Sequence, residues 1–476
     1  MEITQRNLSF AVESGHATSK FDDDGRVKRT GTVASASAHI ITAVIGSGVL
    51  SLAWAMAQLG WIAGIAAMLI FSLITLFTSS LLADSYRSPD PVTGRRNYSY
   101  IEAVKNNLGG IKYKLCGVAQ YTNLVGITIG YTITSAISMA AVKRSHCLHK
   151  NGHDAGCHTS NNPYMIIFGV IQIVISQIPN FQDLAGLSYV AAVMSFSYAC
   201  IGIGLSIARI ADGKAGKTSI IGVSAGVDVT ISQKVWNCLQ AIGNIAFAYS
   251  YSNILIEIQD TLKSSPPENL VMKRAAAIGV LVTTCFYFLC GVLGYAAFGN
   301  RAPGNFLTGF GFYEPYWLID IANICIIIHL VGAYQVFSQP LHQNAEKWFI
   351  SRCGTGHFIV QEHQIVIPFV GIYNVSFLRL IWRTTYVICT SVIAMMFPVF
   401  NSVLGLIGAA AFWPMTVYLP IEMHISQAKI RSFSLLWIWL KILCWACLIV
   451  SLVAGAACIQ GIISELKHYQ PFKSVS

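Results

Sequence analysis

HIITAVIGSGVLSLAWAMA, His39 to Ala57, is long and apolar enough to cross a bilayer, yet its centre reads Ile45-Gly46-Ser47-Gly48-Val49. Two glycines around a serine are poor helix stabilisers. At membrane mid-depth a broken helix is tolerated only where the freed backbone groups line a cavity or are buried in protein. Unwinding at Gly46-Ser47-Gly48 frees backbone N–H groups at the start of a second half-helix. A helix N-terminus carries partial positive charge and open donors, which suits a carboxylate. The stretch therefore reads as half of a site for a small anion-bearing solute, with the other spans arranged around it. The competing explanation is a close-packing face, because small residues let membrane helices approach one another.

Composition sets the rest of the chain in the same membrane. Its 476 residues are 54% hydrophobic and 11% charged, with a mean hydropathy of +0.57, far outside the soluble range. Repeated runs of about 20 apolar residues predict transmembrane helices, so the expected class is an all-α protein in a lipid bilayer. About eleven spans are expected: Val33–Ala57, Trp61–Tyr86, Leu115–Val142, Pro163–Pro179, Leu184–Ala208, Trp236–Gln259, Ala275–Phe298, Tyr316–Ala345, Arg383–Pro398, Ser402–Met423 and Leu435–Ser464. The net charge of +10 is not gathered into a basic groove, so nucleic acid is not an expected partner. No metal-ligand cluster, nucleophile with a partner, or phosphate loop with a Walker lysine stands out, so neither an enzyme, a metal nor a cofactor is expected.

Orientation follows from loop lysines and arginines. With the N-terminus inside, the inner segments hold about nineteen and the outer ones about ten. Residues 1–32 then form a cytosolic tail, in which Asp22-Asp23-Asp24 precedes Arg26, Lys28 and Arg29, and which shows no signal-peptide core. An odd number of spans puts the C-terminus outside. The sequons at Asn7, Asn97 and Asn374 fall on the inner side and are not expected to carry glycan. Of thirteen cysteines, Cys147 and Cys157 form the only pair in a polar loop, the outer one after span three. A disulfide in an oxidising compartment or two free thiols both fit that placement.

A chain of this kind can hide an inverted repeat. Spans one to five (33–208) and six to ten (236–424) would be related, separated by an outer loop at 209–235, with span eleven (435–464) and an outer tail (465–476) added. The signature is a second interrupted span, and span six supplies it with Gln240 to Asn253, QAIGNIAFAYSYSN. Carbonyls freed near Phe247, Ala248, Tyr249 and Ser250 are expected to accept from an ammonium. The two breaks together would hold a zwitterionic α-amino acid without a buried charged side chain. Ionisable groups inside a membrane are candidates for function by default. His39, Glu257 and His329 are the deepest and are the candidates for handling a coupled proton. Asp320, with Asn323 beside it, and Asp260 fit either depth or an interface. Asp84, Lys441, Glu422 and His424 read as snorkelling groups. Tyr121 and Tyr131 in span three, and Phe247, Tyr249 and Tyr251 in span six, are the pocket aromatics. The candidate substrate contacts are thus Ile45, Gly46, Ser47, Gly48, Val49, Tyr121, Asn244, Phe247, Ala248, Tyr249, Ser250 and Asn323.

Several stretches carry a wider resemblance. Arg29 to Thr32 with Ser37 to Trp61, SPDPVTGRRNYSY (Ser88–Tyr100), SQIPNF (Ser176–Phe181), FAYSYSNILIEIQDT (Phe247–Thr261), Gly294 to Asp320, and GAYQVFSQP (Gly332–Pro340) closely resemble the plant amino acid permeases of the amino acid/auxin permease group. The resemblance covers nearly the whole chain after the tail. It implies a LeuT-like 5+5 fold with spans one and six discontinuous, and proton-coupled uptake of neutral and acidic amino acids across the plasma membrane. It also implies pairing of Cys147 with Cys157. One departure stands out. Many members carry Asp where this chain has Asn244, which puts in doubt an obligatory proton role for that position. A carrier of another carboxylate such as auxin, an amino acid sensor that barely transports, and sodium coupling through span-one hydroxyls are the competing expectations.

Overall fold

The computed structural model describes residues 21–152, 156–178, 185–310, 316–354, 361–367 and 371–468. Span one opens as helix α1, Val33–Val44, started by a reciprocal cap. The Thr32 side chain accepts from Ser35 N at 3.3 Å and Ser35 Oγ accepts from Thr32 N at 2.8 Å. The helix stops where the sequence places glycine. Ile45 leaves helical geometry (φ −76°, ψ 78°) and Gly46 is extended (φ −124°, ψ −144°). The chain resumes as a 3-10 turn over Ser47–Ser51 and then as α2, Leu52–Asp84.

Within α2, Gly60 has φ +79° and divides span one from span two. A Cβ there would stand 2.3 Å from the Ile220 carbonyl, so the position needs glycine for both its conformation and the close approach of the 209–235 loop. Next come a short hairpin, β1 (Arg87–Ser88) with β2 (Arg95–Arg96), then α3 (Tyr100–Asn107), α4 (Gly110–Asn151), α5 (Asn162–Ile175) and α6 (Ala185–Ala211). Span six is interrupted as expected. Helix α7, Ile231–Ala248, ends at Tyr249; a 3-10 turn covers Ser252–Ile254, and α8 covers Leu255–Gln259. The remaining elements are α9 (Glu268–Phe298), α10 (Tyr316–Cys353), the hairpin β3 (Glu362–Ile367) with β4 (Gly371–Ser376), α11 (Phe377–Met396), α12 (Phe400–Ala411), a π-helical stretch Phe412–Tyr418, α13 (Leu419–Gln427) and α14 (Leu435–His468).

Eight helical segments among the described residues are long and apolar enough to cross a membrane, against the eleven expected from sequence. The difference has a physical origin. Span one contributes only the 12-residue α1 before its break, α5 is 14 residues long, and Ser47–Asp84 runs spans one and two together. Span six, with its polar run, is not among the eight. The two hairpins and α3 lie in loops, where spans alone did not foresee regular structure.

Helices α1, α2 and α9 pack together, as do α4, α6 and α10; α7, α12 and α14 form a third set that meets α2 through α7. On this third seam Gln240 Nε2 donates to Ser402 Oγ (3.0 Å), which donates to Glu465 Oε1 (2.8 Å). Cys458 of α14 lies against Gly243 and Gly405.

The two ends of the bundle differ. At one end Cys147, near the end of α4, is bonded to Cys157. At the other, Arg29 donates to Asp22 (3.0 Å), Asp24 (2.8 Å) and Asp260 Oδ1 (2.7 Å). Arg87 and Arg96 share Glu268, at 2.7 and 3.1 Å. Backbone pairing closes this Arg-rich end further. Gly31 N donates to Thr261 O (2.9 Å) and Lys263 N to Gly31 O (3.1 Å). A Cβ on Gly31 would stand 2.4 Å from the Thr261 carbonyl oxygen.

Candidate functional site

The two breaks lie side by side. A Cβ built on Gly48 would stand 3.0 Å from Ala248 Cα and 3.3 Å from Phe247 Cδ1. Gly48 is therefore the packing contact that the small-residue explanation required. Gly46 is different. A Cβ there would be 3.5 Å from both His329 Nε2 and Tyr131 Oη, an ordinary contact distance, so this glycine faces polar groups rather than a tight helix wall.

A 3-10 turn that starts at Ser47 leaves its first N–H groups without acceptors one turn back. Ser47 is 1% exposed, and its Oγ has no hydrogen-bond partner among the described residues. Three donors thus gather at the break, suited to an anion. The carbonyls freed at the same place are already engaged. Ile45 O accepts from Ser195 Oγ (2.9 Å) and Tyr198 Oη (3.1 Å), and Gly46 O from Tyr198 Oη (3.1 Å).

Tyr287 of α9 joins the two spans. Its hydroxyl contacts Val44 O in span one and Ala248 O (2.9 Å) in span six. A phenol has one hydrogen, so two carbonyls share a single donor. The span-six break is thereby partly closed on itself: Ser250 N donates to Phe247 O (3.1 Å), Ser250 Oγ to Ala246 O (2.7 Å) and Tyr251 N to Tyr249 O (3.2 Å).

The histidines divide. His329 is fully buried, with Nδ1 3.0 Å from Ala191 O and 2.8 Å from Ser195 Oγ. A carbonyl only accepts, so Nδ1 carries the hydrogen and Nε2, without a partner among the described residues, is left as an acceptor towards Gly46. His39 lies on α1 with its ring 6.5 Å from that of Tyr189, and does not join this group. Glu257 sits beyond the span-six break, on the Arg-rich side. Its Oε1 accepts from Tyr100 N (3.1 Å), and its buried Oε2 has no partner among the described residues.

The other expected contacts separate. Ile45 and Val49 are buried at the break. Tyr121 lies near Glu257, and it is Tyr131, also singled out from sequence, that reaches Gly46. Asn244 is fully buried with both polar side-chain atoms lacking partners among the described residues, and its Oδ1 would stand 2.7 Å from a Cβ on Gly405 of α12. Tyr249 is turned to α9, donating to Thr284 Oγ1 (3.3 Å) with its ring on Tyr287. Tyr251 Oη meets Ser79 Oγ at 2.9 Å. Asn323 donates to Ile319 O (2.9 Å) within α10. Asp320 pairs with His146 at 3.1 Å near the disulfide.

Ser195, Tyr198, Tyr287, Gln120 and Asn253 were not foreseen. Ser195, Tyr198, Tyr287 and Gln120 are polar groups in largely apolar spans, and Asn253 closes the polar run of span six, which are the sequence signals they offer.

Comparison with known proteins shows the family and the fold. Residues 29–464 match the family described as "Transmembrane amino acid transporter protein". The chain is 63% identical to amino acid permease 6 of Arabidopsis thaliana over 464 residues, covering 97% of this chain and 96% of that protein. It is 61% identical to amino acid permease 1 of the same plant, covering 99% of each. Among solved structures, MhsT in complex with L-phenylalanine superposes with a TM-score of 0.55 at 11% identity, covering 91% of this chain and 100% of that one, which shows a shared fold.

Proposed function

We propose, on the premise that the chain belongs to the transmembrane amino acid transporter family as a plant amino acid permease, that it imports neutral and acidic α-amino acids together with a proton, by alternating access across the plasma membrane. Amino acid transport itself follows from the family, and the chain is a transporter rather than an enzyme. The MhsT-like fold is the all-α LeuT type, with two interrupted spans.

The observation that carries the proposal is the juxtaposition of two breaks of opposite character. The carboxylate of the substrate is held by the N–H groups of Ser47 and Gly48 and by Ser47 Oγ. Its ammonium takes the place of the Tyr287 hydroxyl at the Ala248 carbonyl and uses His329 Nε2 as a further acceptor. Phe247 and Tyr131 flank the Cα. Glu257 carries the proton: it is an intramembrane carboxyl whose buried Oε2 has no partner among the described residues. The excess of basic residues in the segments on the N-terminal side supports a cytosolic N-terminus and an extracellular C-terminus. With Asn244 in place of a carboxylate, an acidic substrate side chain meets no like charge there, so Asn244→Asp is expected to lower uptake of aspartate relative to lysine.

The test is substrate-induced current in oocytes with a panel of amino acids, at acid and neutral pH, with sodium replaced by choline. Inward current that grows with acidity and survives in choline is expected. Current that needs sodium, indole-3-acetate displacing labelled proline while amino acids do not, or binding without current would each refute the reading.

A further inference from the structure

Beyond the span-six break lies a group of polar side chains whose hydrogen bonds are incomplete. Gln120 of α4 is 2% exposed, and its Nε2 donates to the main-chain oxygen of Asn253, inside the 3-10 turn Ser252–Ile254 (2.9 Å). Its carboxamide also lies beside the Glu257 carboxyl. Among the described residues, Gln120 Oε1, Glu257 Oε2 and both polar side-chain atoms of Asn253 have no partner. Glu257 Oε1 is held by Tyr100 N. The Asn253 carbonyl and Glu257 Oε1 are therefore held, while Gln120 Oε1 and Glu257 Oε2 each lack a partner among the described residues. Burying such atoms without partners is costly.

We propose that Gln120 is a positioning residue that couples the protonation of Glu257 to the shape of the span-six break; this rests on Glu257 being the proton carrier. When Glu257 is a carboxylate, the Gln120 N–H side serves the Asn253 carbonyl and lies beside the charge. A hydronium then gives up one proton, an O–H bond forms on Oε2, and water is left; nothing is oxidised or reduced. Oε2 has become a donor that no longer suits the Gln120 N–H side facing it, and Gln120 Oε1 is an acceptor without a partner among the described residues. The carboxamide turns so that Oε1 accepts from Oε2, its Nε2 leaves Asn253 O, and the 3-10 turn loses this side-chain tether to α4. Deprotonation reverses each step.

The titratable groups around Glu257 leave it as the responsive one. Asp260 lies one turn along the same helix and is tied to Arg29 and Tyr86. Tyr100 faces it from α3 with its hydroxyl committed to Met415 O (2.6 Å), and Cys116 and Tyr121 face it from α4. Helices α1, α2 and α9 also pack on α8, and among their described residues no cation pairs with Glu257.

The experiment measures transport current and surface expression of Gln120→Leu and Gln120→Glu from about pH 5 to about pH 7.5. Gln120→Leu is expected to shrink the pH-dependent change in maximal current by at least about five-fold, while substrate KM moves less than about two-fold. Gln120→Glu keeps the length and sets a second carboxyl beside Glu257, so the midpoint of the profile moves to higher pH. A Gln120→Leu current that is merely scaled down with the parent's pH profile, or an unmoved midpoint in Gln120→Glu, overturns the assignment to Gln120 alone. Parent current that ignores the proton gradient, or an unaltered profile in Glu257→Gln, overturns the proton-carrier reading and this proposal with it.

Discussion

Replacing Arg29 with alanine removes the centre of the closure at the Arg-rich end. Arg29 is 9% exposed, and its guanidinium bonds three carboxylates and the Asp260 main-chain oxygen (2.6 Å). Removing one partner of a buried ion pair typically costs about 3–5 kcal/mol, because the other charge is left without compensation. The low end applies here, since Tyr86 Oη still donates to Asp260 (2.7 Å) and Arg26 reaches it at 3.8 Å. About 3 kcal/mol taken from the state closed at this end shifts its equilibrium with the open state by roughly 150-fold. Ser37, one turn along α1 and 5% exposed, then becomes accessible from that side. The assay is the rate at which a membrane-impermeant thiol reagent modifies Ser37→Cys in vesicles opened at the Arg-rich face, read against the same Arg29 variant with native Ser37. The rate is expected to rise by at least ten-fold, with Arg29→Lys intermediate, because an ammonium keeps the charge but loses the planar fork. Unchanged labelling in a folded Arg29→Ala protein would refute the closure.

Three further outcomes follow from the geometry. Tyr287→Phe keeps the ring and removes the one hydrogen shared by Val44 O and Ala248 O; a buried carbonyl without a donor costs about 1–3 kcal/mol, and a drop of about ten-fold or more in maximal uptake at unchanged surface expression is the check. Gly46→Ala and Gly48→Ala are expected to part: the methyl at 48 meets the backbone of Ala248 at 3.0 Å and lowers thermal stability, while the methyl at 46 fits at 3.5 Å and instead raises substrate KM. The N-terminal contacts have a defined pH window. Burial pushes Asp22 and Asp24 up, but hydrogen bonds and charge from Arg29 outweigh it and hold both below the usual carboxylate range. A carboxyl depressed in the folded state contributes fully above its unfolded value and loses its contribution as pH falls through the folded one. Proteolysis of the segment around residues 22–29 is therefore expected to stay flat from about pH 7 to about pH 5 and to rise only below about pH 4.

The interruptions were legible because they are local. Gly46-Ser47-Gly48 fails as helix on propensity alone, and the polar run from Gln240 to Asn253 fails in the same way. What engages the freed carbonyls was not legible. Tyr287 and Val44 are separated by 243 residues and Tyr198 and Ile45 by 153, and no local pattern marks one buried tyrosine from another. Depth explains the tyrosines of span three. Tyr121 and Tyr131 are ten residues apart, about 15 Å along a helix, so one reaches the neighbourhood of Glu257 and the other Gly46. Arg383 shows the same limit in reverse. It stands at the start of the expected span nine, and it is fully buried, bonding Glu346 (2.7 Å) and the carbonyls of Ser176 and Ile178 beyond α5.

The seam between α7, α12 and α14 bears on how the chain is made. A polypeptide enters the membrane from its N-terminus, and α14 leaves the ribosome after every other helix among the described residues. Until it arrives, Ser402 lacks its Glu465 acceptor, and Gly243 and Gly405 lack the Cys458 that lies against them. The half-assembled bundle presents that face to hydrocarbon, where hydroxyl and amide groups are poorly solvated. The closing helix therefore acts as a completion step in biogenesis, and a chain ended before Leu435 would leave the insertion machinery with an open polar flank for quality control to detect.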